Sequence, residues 1–137
     1  MTRGFLTSAL VALAALTTVW MAAVDAHHSF AAEFDGSKPV ALKGIVTQID
    51  WTNPHVWFYV NVKDEEGHTV RWACEMGAPH QLQQRGWLRD TMKVGDVVSV
   101  AGSLARDGSK RANARTVTTA DGKTLGAASS GEPPSQQ

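Results

Sequence analysis

From Val56 to Val62 the side chains alternate without a break. Val56, Phe58, Val60 and Val62 fall on one face, and Trp57, Tyr59 and Asn61 on the other. A period of two with one wholly apolar face is the signature of a strand lying against a core. Just ahead of it, Thr52-Asn53-Pro54-His55 forms a turn, because proline fixes its own φ and pushes Asn53 out of the helical region. Any fold for this chain has to be built around that turn and strand.

The rest of the chain supplies matching elements. Val40 to Trp51 reads as a long strand whose alternation changes face: Val40 and Leu42 share one side, Ile45 and Ile49 the other. Gly44 sits at the change, where a β-bulge is expected. Lys63 to Gly67 is a polar hairpin loop, and Thr69 to Glu75 is a strand with Val70, Trp72 and Cys74 on one face and Arg71, Ala73 and Glu75 on the other. Gly77-Ala78-Pro79 breaks it and opens one short helix through Arg85, with Gly86 as the stop and Trp87 packing back on the sheet. Lys93-Val94-Gly95-Asp96 turns into a fourth strand, Val97 to Gly102. A fifth, Ala114 to Thr119, follows a hairpin loop at Arg106 to Arg111, and Asp121-Gly122 makes a last turn. Three strands, a helix and two strands in an otherwise all-β chain predict a five-stranded OB-like Greek-key barrel. A two-layer sandwich is the alternative, for which five strands are few.

The ends read differently. Met1 to Ala26 has one early basic residue, Arg3, then an apolar run, and closes on Val24-Asp25-Ala26. That pattern predicts a secretory signal peptide cleaved after Ala26, and hence a periplasmic or secreted protein with no membrane attachment once cleaved; an uncleaved anchor is the other reading. Residues 27–38 are expected as an N-terminal arm, irregular from Ala31 to Lys38, residues 39–125 as the barrel domain, and residues 126–137, rich in Ser, Gly, Pro and Gln, as a disordered tail. Thirteen basic and thirteen acidic residues balance. Nucleic-acid binding is therefore not expected. The single cysteine, Cys74, cannot form a disulfide within the chain and falls on an apolar face, so an inert core thiol is expected.

Taken together, His28-Ser29-Phe30, Trp51-Thr52-Asn53-Pro54-His55, Trp72 with Glu75, Gly86-Trp87, Lys93-Val94-Gly95-Asp96 and Ala105-Arg106-Asp107-Gly108-Ser109 resemble a family of small exported bacterial proteins catalogued as a domain of unknown function. The resemblance runs from His27 to about Leu125. It implies an exported bacterial protein and carries over no activity, ligand or catalytic residue.

Two constellations bear on function. The first is a ligand-binding face and mouth formed by Trp51, Asn53, His55, Trp57, Tyr59 and Arg71, on the strands OB-folds use for oligonucleotides and oligosaccharides. Flat rings stack on planar ligands and Arg71 suits an anionic group, the partner being a small molecule or a protein. The competing reading is that the N-terminal arm or the C-terminal segment covers these rings as a second small core, since Phe30 and Phe34 need an apolar place to go. The second constellation is a copper site made by His27, His28 and His55. A processed N-terminal histidine offers its α-amino group and its imidazole together, as in the histidine brace of copper-dependent polysaccharide monooxygenases, which it resembles at this one residue. The competing reading is solvated histidines and a His55 that bonds a loop carbonyl. Arg106, Lys110, Arg111 and Arg115 form a basic hairpin suited to an acidic partner, lipid headgroups or water. No nucleophile elbow, phosphate loop or His-Glu-x-x-His helix is present, so the reading leans away from an enzyme.

Overall fold

The computed structural model describes residues 29–129. The signal-peptide and His27–His28 readings, and the tail beyond Ser129, lie outside the described residues. Along the described chain come α1 (Ser29–Glu33), β1 (Phe34–Asp50), β2 (Trp57–Lys63), β3 (Thr69–Glu75), α2 (Pro79–Gln84), β4 (Val97–Ala105), β5 (Arg111–Thr118) and β6 (Thr124–Gly126).

The hydrogen-bonded order is β3-β2-β1-β4-β5-β6, with β3 also pairing β5. A ring therefore closes through β1, β2, β3, β5 and β4, the strand order of the OB-like Greek-key barrel. All pairings are antiparallel except the β3–β5 closure. The interior holds the apolar faces the alternation defines. Leu42, Val46, Phe58, Val60, Cys74, Val98, Val100 and Val117 are buried there. Leu82 of α2 and Trp87 join the same core with no exposed surface, and burying a leucine stabilises by about 1.5–3 kcal/mol. The helix ends as the sequence requires. Gly86 has φ +90, its N–H donates to the Gln83 carbonyl at 3.0 Å, and the Trp87 N–H donates to that of Leu82 at 3.0 Å. These two bonds satisfy carbonyls the helix leaves open. Trp87 Nε1 donates to the Gly126 carbonyl at 2.9 Å, which fixes the indole against β6.

Several expectations change. The N-terminal arm is not irregular: Ser29–Glu33 is a second short helix, and β1 starts at Phe34 instead of Val40, ahead of the expected domain start at residue 39. β4 runs on to Ala105, and β5 begins at Arg111. The tail expected from Gly126 supplies the end of β6, and Ala127 and Ser129 are buried. The bulge is also displaced. Gly44 pairs Val62 in regular register, and the extra residue in β1 is Thr47, between the pairs Val46–Val60 and Gln48–Tyr59. That shift lets both Val46 and Ile49 face the core. Gly44 serves a different end, since a Cβ there would lie 2.4 Å from the Asn61 carbonyl oxygen.

Candidate functional site

The turn between β1 and β2 is held against the chain that follows β3. The Val56 N–H donates to the Gly77 carbonyl at 3.1 Å, and the Met76 N–H donates to that of Val56 at 2.8 Å. These bonds prolong the β2–β3 ladder beyond its last pair, Trp57 with Glu75, and bring His55 alongside the end of β3. There His55 Nδ1 donates to Oε1 of Glu75. The imidazole is half-buried, while the carboxylate is nearly enclosed, with 9% of its side chain exposed.

Alternation puts Glu75 on the outer face of the ring, with Arg71 and Ala73, so its burial needs a cover. α1 and its flanks pack on that face next to Trp57, the register partner of Glu75. Phe30 and Phe34 stack with centroids 5.9 Å apart, and with Ala105 they form a second core on which Trp57 packs. Arg106 anchors α1: its Nε donates to the Ala31 carbonyl at 2.7 Å, and its N–H to that of Glu33 at 2.9 Å. Arg111 pairs with Glu33 at 2.8 Å and lies 5.6 Å from the centre of the Phe34 ring. Two residues of the basic hairpin thus serve the fold.

Burial raises the Glu75 carboxyl above its ordinary value, and the charge of Glu33 pushes the same way, against the lowering effects of His55 and of a hydrogen bond from Asn113. Asn113, fully buried on β5, is the register partner of Glu75 and donates from Nδ2 to Ser129 Oγ at 3.3 Å. Asn113 Oδ1, Ser103 Oγ and Arg111 Nε have no hydrogen-bond partner. Glu75, Asn113, Ser103 and Ser129 therefore form a buried polar cluster.

The six face residues do not act as one. Trp57 belongs to the second core. Tyr59 lies under the Arg71 guanidinium, 4.6 Å from ring centre to Cζ, and Arg71 donates to Gln48 Oε1 at 2.8 Å. Trp51 leans on the main core, and Asn53, whose bond to Pro54 is cis, is exposed beside His55. What stays together at the mouth is Asn53, His55 and the buried Glu75. Among the described residues, no three of His, Cys, Asp and Glu gather as a metal-binding group. Sequence reasoning does not single out Glu75, Asn113 or Ser103 as site residues. Alternation aims Glu75 outward, and nothing local announces its burial.

An OB-like ring whose first turn carries a carboxylate-held histidine defines the class of protein. The chain belongs to the Family of unknown function (DUF6152), which it matches over residues 13–114. Among solved structures, it is similar to the ZRD-deleted mutant of TiaS in complex with agmatine, with 20% identity and a TM-score of 0.42. That match covers 75% of this chain and 25% of the other, and a likeness of this extent assigns nothing to this chain. Curated proteins give no match.

Proposed function

We propose that the protein is an exported, non-enzymatic binding module that takes a small ligand or a partner protein at the mouth between β1 and β2, with His55 as its central contact. The observation that carries this reading is the bond from His55 Nδ1 to the buried Glu75. A buried carboxylate that accepts from one ring nitrogen fixes the tautomer and orientation of the imidazole and leaves the other nitrogen for a ligand. Asn53 adds an exposed amide next to it. The test is a screen of small polar and aromatic fragments by amide chemical-shift mapping. Binders are expected to move Asn53, His55 and Glu75 and to lose affinity in His55→Ala. Binders that keep their affinity in that variant contradict the reading.

A second reading, a periplasmic copper-binding protein with a processed N-terminal histidine, is favoured by the same carboxylate-backed imidazole, because metal-bound histidines characteristically donate their second N–H to a carboxylate. Its ligands would be His27, His28 and His55, and His27 and His28 immediately precede α1 in the sequence. Mass spectrometry of the exported form together with a copper titration tests it. A chain that does not start at His27, or copper affinity unchanged by His55→Ala or by the His27→Ala, His28→Ala pair, contradicts it.

A further inference from the structure

Around Lys43 to Ile45 the outer face of β1 carries a feature that the His55 reading does not use. The register sets Ile45 beside Asn61 of β2 and Val97 of β4. Ile45 and Val97 are 51% and 47% exposed. With Lys43, Asn61, Lys63 and Thr69 they line a concavity of about 400 Å³. Gly44 belongs to its lining, and β1 and β2 approach so closely there that a Cβ would meet the Asn61 carbonyl. A volume of this order lies toward the small end of ligand-binding sites.

The lining combines two chemistries. Single exposed aliphatic residues are ordinary on a protein surface, but here two share one recess on paired strands. Two exposed lysines stand at its side, and no carboxylate is among its lining residues. Lys63 Nζ donates to the Gly67 carbonyl at 3.2 Å. That bond occupies one of the three ammonium donors and steadies the group. Lysine stems also prolong an apolar floor while their heads stay in water.

We propose that this groove binds a monomeric anionic amphiphile, its charged head on Lys43 and Lys63 and a short alkyl chain along Ile45 and Val97. Charge complementarity selects the head, and the recessed aliphatic pair selects the chain. A bilayer surface fits less well, because the apolar pair is recessed and the chain carries no net charge to draw it to an anionic membrane. The proposal is independent of the His55 reading.

The test uses the full exported chain, with sodium dodecanoate below its micelle concentration as the probe and dodecyltrimethylammonium as a control of equal chain length. Amide shift mapping is expected to show dodecanoate perturbing Lys43, Ile45, Asn61, Lys63 and Val97 while leaving Asn53 and His55 in place. The cationic control is expected to bind more weakly. Lys43→Gln with Lys63→Gln should weaken dodecanoate binding about tenfold, the combined loss of two exposed charge contacts. Ile45→Thr should weaken both probes alike. Equal affinity for the two probes, shifts confined to another face, or binding to phosphatidylglycerol vesicles with none to free dodecanoate would overturn the proposal. Unchanged thermal unfolding of the lysine variant shows that its loss is local, since both side chains are exposed.

Discussion

Replacing Phe34 with alanine tests whether the segment ahead of the barrel is a working part of the fold. Phe34 is 1% exposed and packs with Phe30, Ala105 and Trp57. Truncating a buried phenylalanine costs about 3–5 kcal/mol through lost transfer energy and the cavity left behind. Arg111, poised over the same ring, loses its aromatic partner as well, a contact worth about 0.5–1 kcal/mol at an exposed site. For a domain near this size each kcal/mol lowers the unfolding midpoint by about 4 °C or more. The expected result is a fall of roughly 12 °C or more, with the urea midpoint reduced at unchanged slope. Tyr59→Ala serves as the comparison, because Tyr59 is half-buried on the outer face and its ring contact is with Arg71. A Phe34→Ala cost below about 1 kcal/mol, within the range of ordinary single substitutions, would refute the second core.

Three further outcomes follow from the packing and the charges. Burial pushes the Cys74 thiol up to about 12, so a thiol reagent is expected to leave the native protein unmodified at mildly alkaline pH and to label it fully in urea; labelling of the native state would contradict a core thiol. Gly102→Ala would set a Cβ 1.9 Å from the Asn113 carbonyl oxygen, a backbone atom, and urea unfolding should show a loss at or beyond the upper end of the usual overpacking cost of about 1–3 kcal/mol. Asp121 is held below its ordinary value chiefly by the Thr119 hydroxyl and then by the Lys123 N–H. Its stabilising effect is therefore present above the ordinary carboxylate range of about 4 and fades as pH falls through the lower folded value. Asp121→Asn should flatten the acid side of the stability curve, and an unchanged acid limb would count against the turn.

The sequence makes legible what the core dictates. Val56, Phe58 and Val60 had to face one way, and they do. Thr69 to Glu75 reads correctly as a strand for the same reason. Short elements escape such reading, because α1 and β6 have too few residues for any period to develop. Gly44 misleads in an instructive way: a glycine at a change of face invites a bulge, but this one permits a close strand approach while Thr47 takes the bulge. Trp57 points outward as alternation requires, and only contacts with Phe30, Phe34 and Ala105, distant in sequence, turn that outward face into a second core. Glu75 is the counterpart in the site. Its face was readable, but its burial and its bond to His55 depend on how the turn and α1 pack.

The bond from His55 to Glu75 can be measured directly by long-range proton–nitrogen correlation spectra of the histidine rings. The arrangement predicts that His55 carries its proton on Nδ1 in the wild type, with Nε2 bearing the free lone pair, and that Glu75→Ala abolishes this preference. A wild-type His55 protonated on Nε2, or a ring whose tautomer ignores Glu75→Ala, would contradict the claim that the buried carboxylate presents this histidine for binding.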